Sequence, residues 1–168
     1  MNDNQQRRVT ALEQLFTEIS CTRMQDVPVQ NPAVRVQALG FAADTNNAEM
    51  LLGVLVTPWF MNLVRLPSRL SCADDQLLAS GKKAKRAVGN ESFEFIGASE
   101  PGVGAFEVCS LFSPMFEFAN HAAALATASE VLSLLRAPEA PAASAPHTPP
   151  NRRGFLFGRG VASAGEPP

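Results

Sequence analysis

Glu49-Met50-Leu51-Leu52-Gly53-Val54-Leu55-Val56 is the stretch on which the fold turns. After its first residue it is apolar almost throughout, with no alternation of wet and dry positions. A strand with one wet face alternates, whereas a strand covered on both faces does not. The octet therefore reads as a strand in the middle of a covered sheet. Upstream, Asp44-Thr45-Asn46-Asn47 is strong turn chemistry, and residues 34–42 (Val-Arg-Val-Gln-Ala-Leu-Gly-Phe-Ala) open with period-2 alternation. The two runs form a hairpin. Downstream, Thr57-Pro58-Trp59-Phe60 must interrupt the ladder, because Pro58 has no backbone N–H to donate. A third strand is expected at 61–66, closed by Pro67.

Residues 68–90 are polar and contain glycine, which suggests loop with one helical turn near Asp75–Leu78. The basic run Lys82, Lys83, Lys85 and Arg86 falls here and reads as a solvated loop. Residues 91–97 and 104–112 flank Ser99-Glu100-Pro101-Gly102 and make a second hairpin, broken afterwards by Ser113-Pro114-Met115. Helices bracket the strands. Residues 5–20 place Val9, Leu12, Phe16 and Ile19 on one face, and Pro28 and Pro32 end any continuation. The second helix runs from an Asn120 N-cap to Arg136 with Leu125, Ala128, Leu132 and Leu135 along its apolar side, until Pro138 stops it. The expectation is an α+β domain, an antiparallel sheet of about five strands packed by N- and C-terminal helices.

The chain has 168 residues. Residues 1–137 are enough for one domain with a real core, 138–150 form a Pro/Ala-rich linker, and 151–168 form a tail. A net charge of −2 favours neither nucleic acid nor an anionic membrane surface. Met50–Val56, the longest apolar stretch, is too short to cross a bilayer, so no direct membrane insertion is expected. The polar segment Met1–Arg8 has no apolar core of a secretory signal. Cys21, Cys72 and Cys109 are an odd set without CxxC spacing, which argues against a disulfide framework or a zinc site. A reducing cytoplasm fits.

Catalysis needs polar groups that converge, and the sequence offers few. His121 opens the second helix and His147 lies in the linker. GxSxG, P-loop, HExxH and DxDxDG motifs do not occur. Cys109 has no base assigned beside it and reads as a buried strand cysteine. A protein without catalytic residues, cofactor or metal is expected. Arg152-Arg153-Gly154-Phe155-Leu156-Phe157-Gly158 points instead to binding, because large apolar side chains beyond a linker need a surface to dock on.

Three motifs in order carry a resemblance: Val56-Thr57-Pro58-Trp59-Phe60-Met61, Cys109-Ser110-Leu111-Phe112-Ser113-Pro114-Met115, and Arg152 to Gly158. Together they resemble the HybE/HupJ-type assembly chaperones of [NiFe] hydrogenases, from the first helix to about Arg159. The cysteine pairs of rubredoxin-fused members are not seen, so no iron site is carried over. The resemblance implies a cytoplasmic, non-catalytic maturation factor. Its partner would be the hydrogenase large and/or small subunit precursor, held back from export until assembly is complete. It also implies a domain like the small α+β chaperones of unfolded secretion substrates.

Candidate partner-binding residues fall in three groups. Thr57, Pro58, Trp59 and Met61 lie at the first strand break, and Ser113, Pro114 and Met115 at the second. If the breaks lie side by side, Trp59, Met61, Met115 and Phe116 line one groove with unpaired strand ends, although Trp59 could equally fill the core at a kink. The third group is Arg152, Arg153, Phe155, Leu156 and Phe157. It resembles a twin-arginine export signal but lacks the Ser and Lys of that pattern and any following apolar segment. Three roles stand open for it: docking for stability, occupying in cis a site for a partner's twin-arginine segment, or inserting into the client. A thirteen-residue linker reaches about 40 Å, ample for a domain with a radius of gyration of roughly 14 Å. Two other functions compete: a redox or oxygen-protection accessory using Cys109, and a chaperone for another exported protein.

Overall fold

The computed structural model describes residues 1–69 and 77–137. In chain order the elements are α1 (Asp3–Cys21), β1 (Gln37–Asp44), β2 (Asn47–Val56), β3 (Met61–Pro67), β4 (Lys83–Val88), β5 (Glu91–Glu100), β6 (Gly104–Phe112) and α2 (His121–Arg136). The strands form one antiparallel sheet of six in the order β1-β2-β3-β6-β5-β4. Two three-strand meanders are thus joined where β3 meets β6.

Strand β2 explains the octet. Leu52, Val54 and Val56 pack with Ala124, Ala128 and Leu132 of α2, while Leu51 and Leu55 pack with Val9, Leu12, Phe16 and Ile19 of α1. Helices on opposite faces of the sheet leave β2 no wet side. Fully burying such a side chain contributes about 1.5–3 kcal/mol, so the two-sided strand is the main anchor of the domain. Gly53 interrupts the run for a steric reason: a Cβ there would lie 2.4 Å from the ring of Phe41. The Phe41 side chain fills that space instead.

Both helices are capped, the second at Asn120 as its sequence suggests. Asn2 and Gln5 form a reciprocal capping box on α1, and Asn120 accepts from the Ala123 N–H on α2. The buried line of α2 is Ala124, Ala128 and Leu132, with Leu125 and Leu135 half-buried beside it. That is a slight rotation from the expected face. Small alanines let the helix approach the bulge in β1 at Gly40, where φ is +63° and a Cβ would meet Leu132 Cδ1 at 2.6 Å.

The expectation of about five strands is corrected to six. Lys83–Val88, read as solvated loop, is an edge strand paired with β5. Its Ala84, Arg86 and Val88 turn toward the sheet interior and Lys83, Lys85 and Ala87 are exposed. The charges hide the strand because an edge tolerates, and often uses, lysine. The first strand also begins at Gln37 instead of 34 and runs through Asp44, the turn shrinking to Thr45-Asn46. The helical turn expected near Asp75–Leu78 lies mostly outside the described residues.

A buried ion cluster ties the two meanders together. The Arg65 guanidinium lies 3.2 Å from Asp44 Oδ2 and 2.5 Å from Glu107 Oε2, and Arg86 donates to the same Glu107 carboxylate. Glu107 is fully buried and also accepts from the Leu78 N–H. Two carboxylates thus face two guanidiniums, so no net charge is stranded.

Candidate functional site

The pairing of β3 with β6 sets Met61 opposite Phe112, which brings the two strand breaks together. The β2–β3 connection, Thr57 to Phe60, lies against the segment after β6. Thr57 closes its own turn: its N–H donates to Phe60 O at 2.8 Å, and its Oγ1 accepts from the Phe60 N–H at 2.9 Å. The Asn31 N–H donates to Pro58 O, and Ser113 Oγ donates to Trp59 O at 3.4 Å. Beneath the corner, Asn31 Nδ2 donates to Met115 O at 2.9 Å and Phe118 O at 2.8 Å. One buried asparagine therefore fastens both breaks from below. The Ser113–Pro114 peptide is cis.

Two parts of the expected groove are corrected. Met61 and Met115 are fully buried, as are Thr57 and Pro58, so none of the four presents a side chain to a partner. Met61 is in phase with Leu63 and shares the α2-side core, and Met115 is drawn under the corner by Asn31. Pro58 O, Trp59 O, the Phe60 N–H and O, and Met115 O are taken by Asn31, Ser113 and Thr57, so these groups are not open to a partner strand. What faces outward is an aromatic corner. Phe116 is 58% exposed, Ser113 and Pro114 are exposed, and Trp59 and Phe60 are half-buried. Trp59 packs edge-on against Phe60 at 5.5 Å, and Phe60 against Phe16 of α1 at 5.7 Å. These stacked rings give the corner a firm base. Arg152, Arg153, Phe155, Leu156 and Phe157 lie outside the described residues.

The titratable groups singled out in the sequence are placed elsewhere. His121 Nδ1 accepts from the Arg35 N–H and its Nε2 contacts Gln37 Oε1 at 2.9 Å, so it ties α2 to the start of β1. Burial, reinforced by the Arg35 charge, lowers its pKa. Cys109 is half-buried on β6, and burial followed by the Glu94 charge raises its pKa, which disfavours the reactive thiolate. Among the described residues there is no group of three or more His, Cys, Asp or Glu that would hold a metal. None of their helices is long and apolar enough to cross a membrane.

Asn31 is the residue organising this corner that sequence reasoning missed. Its partners lie more than eighty positions away. Nothing in Gln30-Asn31-Pro32 announces them beyond an Asx-type turn to Ala33.

A six-stranded antiparallel sheet with one helix on each face is the α+β class to which solved HybE from Escherichia coli belongs. The two structures align with a TM-score of 0.59 at 22% identity, covering 92% of this chain and 91% of that one. The family described as "[NiFe]-hydrogenase assembly, chaperone, HybE" matches residues 7–158, and the chain belongs to it. Protein HoxT of Cupriavidus necator is 53% identical over 161 residues, 90% of this chain and 89% of HoxT. The hydrogenase expression/formation protein HupJ of Bradyrhizobium diazoefficiens is 38% identical over 148 residues, 85% and 83% of the two chains. The protein is a hydrogenase assembly chaperone by family.

Proposed function

We propose that this chaperone holds a [NiFe]-hydrogenase large and/or small subunit precursor against its aromatic corner, in the cytoplasm, until assembly is complete. The observation that carries the reading is Phe116, 58% exposed next in the chain to Met115, whose carbonyl is pinned by Asn31. An exposed phenyl ring on a rigid support loses little freedom on binding and buries a large apolar area, which suits a hot spot. Phe155, Leu156 and Phe157, with Arg152 and Arg153, supply a second contact that reaches the client over the Pro-rich linker. The small subunit is the favoured client where it carries a twin-arginine segment, which the tail resembles.

Co-purification of hydrogenase subunits with intact and altered chaperone tests this. Phe116→Ala and the pair Phe155→Ala with Phe157→Ala should each lower recovery of the precursor at least fivefold, with unfolding of the domain barely moved. Recovery equal to wild type in both would overturn the assignment. Deleting 151–168 should strengthen binding of a twin-arginine peptide if the tail occupies that site in cis. The alternative redox role through Cys109 is disfavoured by its raised pKa.

A further inference from the structure

The two edges of the sheet are treated differently. At β1 two backbone groups are engaged from within the domain: the Ala38 N–H donates to the Glu13 carboxylate of α1, and Arg136 of α2 donates to Gly40 O. Both helices thus reach over the middle of that edge. At β4 the phase of the ladder is set by the two-residue turn Gly89-Asn90 and by the Gly97 N–H donating to Lys82 O. Even-numbered residues of β4 bond inward to β5, so the N–H and C=O groups of Lys83, Lys85 and Ala87 point outward. No described residue bonds to them.

The same residues carry the charge. Lys82, Lys83 and Lys85 are exposed, and among the described residues their one ion pair is the solvent-facing contact of Lys83 with Glu94 at 3.3 Å. This is a local positive rim on a chain of net charge −2. Two copies meeting edge to edge would set lysine against lysine, which the charge opposes. An incoming strand with carboxylates at alternate positions would instead set each one directly across from Lys83 and Lys85, on the same face of the extended sheet.

We propose that the β4 edge, Lys83 to Ala87, takes up an extended acidic polypeptide segment as a seventh strand. The inference rests on the reading that this chain binds polypeptides but uses a surface separate from the aromatic corner. Backbone pairing supplies the affinity and the lysines select against basic or neutral strands.

The test uses the full chain and a nine-residue peptide alternating Glu and Val, followed by fluorescence anisotropy at low salt and by amide hydrogen exchange. The acidic peptide should bind, slow exchange at Lys83, Lys85 and Ala87 at least tenfold, and weaken as salt rises. A Lys/Val peptide, and an acidic peptide of equal charge broken by proline, should both fail. Lys83→Gln with Lys85→Gln should weaken binding at least fivefold. Lys85→Pro, which removes an outward N–H that the ladder does not use, should abolish it with the fold retained. If Lys85→Pro unfolds, the Gln pair and the exchange map decide. Phe116→Ala should leave this peptide's binding unchanged, which separates failure of the edge from failure of the corner. Equal binding of the proline-broken peptide would show charge attraction alone. That result, protection at the corner instead of β4, or a dimer formed through β4 would each overturn the proposal.

Discussion

Replacing Asn31 by alanine is the sharpest perturbation of the corner. The side chain donates to Met115 O at 2.9 Å and Phe118 O at 2.8 Å, and accepts from the Ala33 N–H at 2.9 Å. Asn31 is 7% exposed; truncation removes its three hydrogen bonds and takes the side-chain donor from Phe118 O, while Met115 O keeps the Phe118 N–H at 3.2 Å. At about 0.5–1.5 kcal/mol per bond, with a further penalty for buried groups left unpaired, the loss is roughly 2–4 kcal/mol. A domain of this size has about 5–15 kcal/mol in total, so the variant should fold but with much reduced stability. At roughly 2–5 °C per kcal/mol the unfolding midpoint should fall by about 5–15 °C. Thermal unfolding monitored by Trp59 fluorescence reads both the midpoint and the local environment, since Trp59 O is held by Ser113 in the same corner. Client binding should fall with it, because the rings lose their fixed support. A midpoint shift below about 2 °C with client binding intact would refute the claim that Asn31 organises the corner.

Glu107→Ala removes one of the two carboxylates that face Arg65, leaving it Asp44 at 3.2 Å, and should cost about 3–5 kcal/mol in chemical denaturation. Gly53→Ala drives a methyl into the Phe41 ring and should cost about 1–3 kcal/mol, with Phe41→Leu partly relieving it in a double-mutant cycle. His121 has its pKa lowered below the usual 6.5 in the folded chain, so the unfolded chain takes up the proton first. Stability from this group is therefore present above pH 6.5 and is lost as pH falls from there through the lowered folded value; His121→Gln should flatten that part of the profile.

The fold was legible where burial leaves a one-dimensional trace. An unbroken apolar octet means two covered faces, and β2 has them; the capping Asn120 marks the start of the second helix, whereas the first begins at Asp3, ahead of the expected residue 5. Strand β4 was not legible, because half of its residues are charged and only its pairing with β5 makes it a strand. The site was half legible. Proline after each strand marked the breaks, and their adjacency follows from β3 pairing β6, a contact no local pattern encodes. The burial of Met61 was available in principle, since it continues the alternation of Leu63 into the α2-side core. The burial of Met115 was not, because it depends on Asn31 from the far end of the chain.

A photo-crosslinking residue placed at position 116, against one at Leu134, 71% exposed on α2, tests the central claim most directly. In cells assembling hydrogenase, the account requires position 116 to capture a hydrogenase subunit precursor and position 134 to capture none. Capture at 134 with none at 116 would contradict it.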